Sequence, residues 1–489
     1  DMDTIRKVGV FAADAMDQIT EAPKTATVYE GQGCISIIKN NGLDAINAVN
    51  ALLKDGKNVG LITEGEHAGS YVVAAADLST VQDKWTLDVV STEEAPKAKK
   101  LNNAIKAYVP AGSSDFVTDA DGNEVGMKGY RNRLSTEYGW DIFALQTQMG
   151  FELTNNLDEA NVIVGSQYPI NADEVAAKVK AGIPYVAYTP DAMQFLKDYD
   201  LMPGFAAEPD NDWWGYDAFS KVEFPEDDII TATYKNEGDF KMYGYGGGYI
   251  TKVPDGGKVL IKTTQDDLLE GFMTKKAIEK YKGSIQAIDY QQNGMNIAAF
   301  ANTLVNKAHQ QDDYRYLTAA IYSKLAGEDF VAENTCPAYK MIQETAEVKQ
   351  GETALFTSDA PSNKFKEVQV DGKVVDPQFY TVSGDSTEVT LSADFTKTLA
   401  EGEHTITIVS TDGQVSSKFT VVKADNPNNG NDQPGGNNNQ PGSDKPNGNN
   451  TKPGTNKPSA QNPLGKLLPK TGDYATVAVP FIVVAAVVV

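Results

Sequence analysis

The sequence predicts an α/β region built on a parallel sheet, followed by an all-β sandwich, a disordered stalk and a C-terminal apolar helix. Three observations support this order. Apolar runs alternate with helical periods over residues 1–340, short strands with turn signals follow, and Asn, Pro and Gly then dominate before a final apolar run. The predicted segments are two α/β units, a sandwich, a stalk and a terminal segment, with boundaries 1–102, 103–340, 341–423, 424–463 and 464–489.

The α/β prediction depends on strand and helix candidates that alternate along the chain. Asn58–Thr63, Asn161–Ser166 and Pro184–Tyr188 are short apolar runs of the kind found in buried strands. Leu43–Leu53 and Ala172–Ala181 repeat apolar residues at helical spacing, which places them on one face. Because short turns connect these candidates, we expect a flavodoxin-like parallel sheet.

The sandwich prediction depends on short segments of alternating polarity. The strand candidates are 366–370, 378–382, 387–391, 403–409 and 417–422. The stretches VDGKVVDPQFYTVSGDSTEVTLS and LAEGEHTITIVSTDG resemble X2-type immunoglobulin-like modules of secreted clostridial glycanases and surface proteins. That resemblance implies a structural spacer, or alternatively a carbohydrate- or wall-associated module. The segment has no Trp for sugar stacking, and His404 is interpreted as an ordinary strand residue.

The charge balance excludes one class of function. The chain has 43 Lys and Arg against 67 Asp and Glu, which gives a net charge of −24. Such a chain repels phosphate backbones, so we expect no nucleic-acid partner. Like-charge repulsion also keeps exported proteins soluble, so the acidity does not identify a ligand.

Few residues are suited to metal or nucleophilic chemistry. Two cysteines exclude a disulfide framework and a cysteine-ligated zinc site, and three histidines leave little room for a His-rich metal centre. Cys34 is interpreted as a buried structural cysteine, with a reactive thiol as the alternative. The string His309-Gln310-Gln311-Asp312 lacks the Glu of an H-x-x-E zinc motif. We therefore assign no metal ligand and no cofactor to this chain.

The position where an acyl-transfer nucleophile would lie carries other residues. Class I glutamine amidotransferases place a Cys on a strand-to-helix elbow of the form G-x-C-x-G. The corresponding place here, after Pro184–Tyr188, reads Thr189-Pro190-Asp191-Ala192, with no Cys, no flanking glycines and no nearby His. We therefore predict no catalytic residue.

One loop is a candidate binding site. Trp213, Trp214 and Tyr216 lie close together in an acidic stretch, where adjacent aromatic rings can form a stacking platform for a sugar or peptide. The alternative is that these rings fill the core beneath a long loop.

The C-terminus carries the most specific motif. After a Pro-, Gly- and Asn-rich spacer comes Leu468-Pro469-Lys470-Thr471-Gly472, and then an apolar run over Ala475–Val489. This arrangement resembles the LPXTG cell-wall sorting signal of Gram-positive surface proteins. The resemblance implies that a sortase cleaves after Thr471 and joins its carboxyl to the peptidoglycan cross-bridge. The chain lacks the basic tail of that family and its apolar run is short, which we attribute to truncation; an ordinary single-pass anchor is the alternative.

A second resemblance concerns residues 1–330. The strings NAVNALLKDGKNVGLITEGEHAGSYVV, YRNRLSTEYGWDI and GMNIAAFANTLVN resemble the region downstream of the catalytic domain in secreted bacterial zinc carboxypeptidases. In that family an amidotransferase-like unit without its nucleophile follows the zinc domain. The resemblance implies that a zinc site lies upstream of Asp1 and that this chain is the accessory, wall-anchoring part. The alternative is a surface adhesin that binds a surface peptide or glycan without enzymatic activity.

Overall fold

A computed structural model describes residues 27–101, 105–112, 116–118, 124–127, 137–209, 216–245 and 247–424. These residues form two sheets with helices packed against them, a small separate hairpin, and a β-sandwich. Within these ranges, no helix combines the length and the apolar character needed to cross a membrane.

The first sheet has six strands in the order β1-β5-β2-β4-β3-β6. Its elements are β1 Val28–Gly31, β2 Ile35–Ile38, α1 Leu43–Lys54, β3 Val59–Ile62, β4 Tyr71–Ala74, α2 Ala75–Leu78, β5 Asp88–Thr92 and β6 Ala98–Lys100. Only the β1–β5 pair is parallel, and the other four pairs are antiparallel.

Helix α1 forms where the apolar spacing predicts it. Asp44 lies in its first turn and Lys54 in its last, and both charges complement the helix dipole. The predicted inner face is confirmed, because Ile46, Val49 and Leu52 are fully buried.

The second sheet has eleven strands. The elements of this part are β7 Lys106–Tyr108, α3 Glu137–Ile142, β10 Glu152–Leu153, β11 Val162–Gly165, α4 Ala172–Lys180, β12 Tyr185–Tyr188, α5 Pro190–Asp198, β13 Ala206–Pro209, β14 Tyr216–Glu223, α6 Ala232–Glu237, β15 Lys241–Tyr245, β16 Gly248–Lys252, β17 Gly257–Met273, α7 Lys275–Tyr281, β18 Ile285–Tyr290, β19 Ile297–Phe300 and α8 Tyr314–Leu325. Strands β8 Phe116–Thr118 and β9 Glu124–Met127 form the separate antiparallel hairpin. The strand candidates 161–166 and 184–188 are confirmed as β11 and β12, and the helix candidate 172–181 as α4.

The prediction of a flavodoxin-like parallel sheet needs correction, because the second sheet is mixed. Strands β10, β7, β11, β12 and β19 are parallel neighbours. From β19 onward, β18, β17, β14 and β15 continue the sheet in antiparallel pairs. The antiparallel part comes from residues 216–290, where strands close in sequence pair with one another and need no long crossover.

One hydrophobic core joins the two sheets. It contains Ile46 of α1, Val73 of the first sheet, Val164 of the second sheet and Tyr322 of α8. The Tyr322 hydroxyl donates a 2.8 Å hydrogen bond to Asn50 Oδ1 in α1. Helix α8 is therefore buried between elements from both ends of the α/β region.

The sandwich predicted for the region after residue 340 is confirmed. Its elements are β20 Met341–Glu344, β21 Glu347–Lys349, β22 Ala354–Pro361, β23 Phe365–Val370, β24 Lys373–Val374, β25 Tyr380–Ser383, β26 Ser386–Leu391, α9 Ala393–Thr396, β27 Gly402–Ser410 and β28 Gly413–Val422. The two sheets run β20-β22-β26-β25 and β21-β28-β27-β23-β24. Phe356, Val389, Ile406 and Phe419 fill the space between them. The five predicted strands correspond to β23, β25, β26, β27 and β28, whereas β20, β21, β22 and β24 were not predicted.

The chain between α8 and the sandwich crosses the first sheet as a strap, residues 326–340. The Phe330 N–H donates to the Ala98 carbonyl at 2.9 Å, and the Lys100 N–H donates to Glu328 at 2.8 Å. The Phe330 ring lies over Gly60, where a Cβ would meet it at 2.6 Å. The strap therefore covers an apolar face that the sheet would otherwise expose.

A disulfide joins Cys336, near the end of the strap, to Cys34, directly before β2, with the two Cα atoms 4.6 Å apart. This bond overturns the reactive-thiol alternative for Cys34 and gives the residue a structural role as one half of a disulfide, with the side chain only partly buried. The two cysteines are 302 residues apart and show no spacing motif, so the sequence carried no signal for their pairing.

We expect Cys34→Ser, Cys336→Ser and the double variant to lower the free energy of unfolding by the same amount, roughly 2–5 kcal/mol, because all three remove one long-range cross-link. Denaturant unfolding without reductant measures this loss. Wild-type protein treated with dithiothreitol is the control and should match the variants. Additive losses in the double variant would contradict a bond between these two residues.

Candidate functional site

The carboxyl ends of β11, β12 and β19 meet at one edge of the second sheet, where parallel strands usually place functional residues. Thr189 directly follows β12 and precedes α5. Its φ of 83° and ψ of 158° are strained for an L-residue with a β-branched side chain. This sharp strand-to-helix turn is the geometry that presents the nucleophile in α/β-hydrolases.

The side chain at this elbow is held in a structural bond. The Thr189 hydroxyl donates to the backbone carbonyl of Ser166, and its N–H donates to the Phe300 carbonyl at 3.1 Å. Thr189 is 5% exposed. These bonds tie the ends of three neighbouring strands together and engage the hydroxyl that a nucleophile would need free.

A buried polar cluster lies beside the elbow. Asp141 Oδ2 accepts from the Ser166 hydroxyl at 2.5 Å, and Asp141 Oδ1 accepts from the Tyr188 hydroxyl at 2.8 Å. Gln167 Nε2 donates to Ser166 Oγ at 2.8 Å. The Ser166 hydroxyl thus has a carboxylate and an amide as hydrogen-bond partners, whereas serine nucleophiles are usually activated by an imidazole or an amine. The cluster holds α3 against β11 and β12.

Sequence reasoning did not identify this cluster. Ser166 and Gln167 directly follow the apolar run of β11, and polar residues at the end of a buried strand could have signalled a carboxyl-edge site. Asp141 had no such signal, because its partners lie on other elements.

The candidate binding loop and the sorting motif fall largely outside the described residues. Trp213 and Trp214 lie there, as do Leu468, Pro469, Lys470, Thr471 and Gly472. Tyr216 begins β14, where its backbone is paired with Met273. The stacking platform and the sortase site therefore stay predictions.

Two of the histidines lie in the α/β region. His67 Nε2 is 3.3 Å from Glu66 Oε1, and His309 is exposed after a 3₁₀ turn, Asn306–Ala308. Among the residues that the structure describes, no three His, Cys, Asp or Glu side chains form a group that could hold a metal ion.

His404 in β27 has two acceptors. Its Nδ1 lies 2.6 Å from Asp371 Oδ2, and its Nε2 lies 2.9 Å from the Ala400 carbonyl oxygen. Both partners only accept hydrogen bonds, so both ring nitrogens are best satisfied when protonated. Partial burial opposes the charge, but the bonds to Ala400 and Asp371 outweigh it and raise the pKa of His404.

A second buried polar group lies where the α/β region meets the sandwich; we call it the junction pair, Lys364 and Asp412. Lys364 Nζ is 2.5 Å from Asp412 Oδ2, and the two side chains are 0% and 1% exposed. The Tyr339 hydroxyl donates to Asp412 Oδ1 at 2.8 Å and accepts from Lys364 Nζ at 3.2 Å. The Tyr29 ring, from β1, lies 4.7 Å from Nζ. Burial lowers the pKa of Lys364 despite the nearby carboxylate.

Further bonds surround the junction pair. Asn363 Nδ2 donates to the Thr27 carbonyl at 2.9 Å, the Gly33 N–H donates to the Thr411 carbonyl at 2.9 Å, and Lys366 Nζ donates to the Gly31 carbonyl at 3.0 Å. The sandwich is thus bound to the edge of the first sheet through backbone and side-chain contacts.

A cavity of about 570 Å³ lies between the β3–β4 connection and the chain before α6. Glu64, Asp228, Lys235 and Lys258 are among its lining residues. Each already contacts an opposite charge, for example Lys258 Nζ and Asp228 Oδ2 at 2.8 Å. A charged ligand would therefore have to displace existing ion pairs.

Comparisons with known proteins give little further information. No protein-family model matches the chain, and no curated protein matches it. Among solved structures, titin domain M7 is 19% identical over 18% of this chain and 94% of that chain, with a TM-score of 0.15. Domains 4 and 5 of the S-layer protein SbsC are 22% identical over 19% of this chain and 56% of that one, with a TM-score of 0.13. Likenesses at these scores carry no argument, and the sandwich assignment depends on its own strand pairing.

We expect Thr189→Gly to be more stable than Thr189→Ala by roughly 1 kcal/mol, because both lose the hydroxyl bond but only glycine relieves the positive φ. Denaturant unfolding gives the two values. Thr318 in α8 is the control: it has ordinary helical surroundings, and there the glycine variant should be the less stable one. If the glycine variant is less stable than the alanine variant at position 189 as well as at position 318, the backbone at the elbow is not strained.

His404 should titrate above its ordinary pKa of about 6.5. Since the folded-state pKa is raised, the His404 bonds stabilise the fold fully below pH about 6.5, and this contribution is lost as pH rises through the folded-state pKa. Ring-proton NMR titration measures the value. Asp371→Asn should lower it, whereas Asp385→Asn, in an exposed turn of the same sandwich, should leave it unchanged. An unshifted His404 in the wild type would refute the interpretation.

Proposed function

We propose that this chain is the accessory and anchoring portion of a cell-wall-attached surface protein of a Gram-positive bacterium. The observation that carries the proposal is the order of segments along the chain. The last sandwich strand, β28, ends at Val422, the Asn-, Pro- and Gly-rich stretch follows, and Leu468–Gly472 then supplies an LPXTG sequence before the apolar run. A folded region, a spacer and a sortase sequence in this order fit covalent attachment to peptidoglycan.

The Cys34–Cys336 disulfide supports an exported location. Disulfides persist in oxidising compartments outside the cytosol and are rare inside it. A cross-link that joins the first sheet to the start of the sandwich suits a protein that leaves the cell before it finishes folding.

The contacts around the junction pair support an anchoring role for the sandwich. Because Thr27, Gly31 and Gly33 on the first-sheet side bond directly to the sandwich, the α/β region has no free hinge at this point. In this proposal the sandwich is a rigid spacer that holds the α/β region away from the wall.

The elbow supports a non-catalytic role for the α/β region. Thr189 occupies the nucleophile position with its hydroxyl bonded to a backbone carbonyl, and Ser166 is bonded to Asp141. In this proposal the hydrolytic activity belongs to an upstream zinc carboxypeptidase-like domain, and this chain positions that domain at the cell surface.

Incubation of the full chain with a class A sortase and an oligoglycine amine tests the anchoring step. We expect a product that ends at Thr471 with the glycine peptide attached, which intact-mass spectrometry detects. Thr471→Ala and Pro469→Ala should abolish the product, whereas Lys470→Gln should keep it, because the third position of the motif is variable. No product from the wild-type chain would overturn the proposal.

A further inference from the structure

We propose that Lys364 and Asp412 react with each other to form an intramolecular amide bond between Lys364 Nζ and Asp412 Cγ. The inference starts from their contact: Nζ and Oδ2 are 2.5 Å apart, and both side chains are shielded from water. At this separation the amine nitrogen is also close to the carboxyl carbon. Because the fold already holds the two groups together, the reaction avoids the entropy cost of bringing two separate molecules together.

The backbone holds both reactants in place. Lys364 ends the 3₁₀ turn Ser362–Lys364 directly before β23, and Asp412 lies in the tight turn between β27 and β28. Strands β23 and β27 are paired, with Phe365 opposite Ser410, and the Thr411 N–H donates to the Lys364 carbonyl at 2.8 Å. Neither side chain can move far without breaking this pairing.

Burial favours the reactive protonation states. An ammonium and a carboxylate removed from water are both destabilised relative to a neutral amine and a neutral carboxylic acid. Burial lowers the pKa of Lys364, which favours its neutral, nucleophilic amine. In the proposed reaction the Lys364 proton passes to the carboxylate oxygen 2.5 Å away, so that the amine faces an electrophilic carboxylic acid, whereas the charged pair would be unreactive.

Tyr339 is placed to stabilise the negative charge that develops on Asp412 during the reaction. Its hydroxyl donates to Asp412 Oδ1 at 2.8 Å, the oxygen that gains negative charge when the amine attacks. Burial raises the pKa of Tyr339, so it stays a proton donor. On the other side, the Tyr29 ring covers Nζ at 4.7 Å and limits access of water.

The reaction balances without a co-reactant. The Nζ lone pair forms a bond to Cγ, and the Cγ–Oδ2 bond breaks. The departing oxygen leaves as water with the acid proton and one proton from the amine. The product is a neutral amide, which replaces two buried charges and needs no oxidant, metal or cofactor.

The bond would have a mechanical consequence. The two residues are 48 positions apart, and the segment between them contains β23 to β27. An amide at its ends would keep this segment from extending when the chain is pulled, while the neighbouring strands could still unfold.

Intact-mass spectrometry of the full wild-type chain, denatured and reduced, tests the proposal without any variant. We expect a mass lower than the sequence mass by one water molecule, together with a branched peptide in a protease digest that contains both Lys364 and Asp412. An unchanged mass, or a loss of water without the branched peptide, would overturn the proposal and leave an ordinary buried ion pair.

Variants then test which residues form the amide bond and which promote it. Lys364→Met and Asp412→Ala should restore the full mass, and Tyr339→Phe should slow the appearance of the branched peptide. Lys324 is the matched control: it is a buried lysine that contacts Asp289, and within the described part of the chain Gln291, not a tyrosine hydroxyl, donates the second bond to that carboxylate. Lys324→Gln should keep the branched peptide between Lys364 and Asp412, and its loss in that variant would contradict the assignment.

Discussion

The arrangement of the α/β region and the sandwich depends on two polar side chains that are withdrawn from water. Lys364 and Asp412 can be buried only because each meets the other and Tyr339. Loss of either partner would leave a buried charge without compensation, which in proteins costs several kcal/mol. Because Tyr29 of the first sheet and Tyr339 of the strap both line this position, separating the sandwich from the sheet would expose the pair. The junction pair thus acts together with the Gly33–Thr411, Asn363–Thr27 and Lys366–Gly31 bonds to fix the position of the sandwich.

At Thr189 the backbone has the geometry of a nucleophile elbow, but the side chain makes a structural hydrogen bond. The strand end, the positive φ and the following helix are the features that present a nucleophile in enzymes of this architecture. Here the hydroxyl instead donates to the Ser166 carbonyl, and the adjacent Asp141 carboxylate accepts bonds from Ser166 and Tyr188. The strain at the elbow is offset by bonds that join three strand ends. The same backbone can therefore serve as a structural clamp.

Local periodicity explains which elements could be predicted. Helix α1 buries the face that its apolar spacing indicates, and the continuous apolar runs of β11 and β12 are buried at every position. Strand β17, Gly257–Met273, was missed because it mixes charged and apolar residues over its seventeen positions. The expectation of a wholly parallel sheet failed for the same reason, since β14, β15 and β17 gave no strand signal and their antiparallel pairing could not be anticipated.

The sequence by itself determined the amphipathic face of α1, the presence of a sandwich after residue 340 with its strands β23 to β28 except β24, and the LPXTG string at Leu468–Gly472. Only the tertiary structure decided the Cys34–Cys336 disulfide, the junction pair and the clamp around Thr189. The physical reason is the range of each interaction. Periodicity and short motifs depend on neighbours in the chain, whereas these contacts join residues that are close only after the sheets have packed.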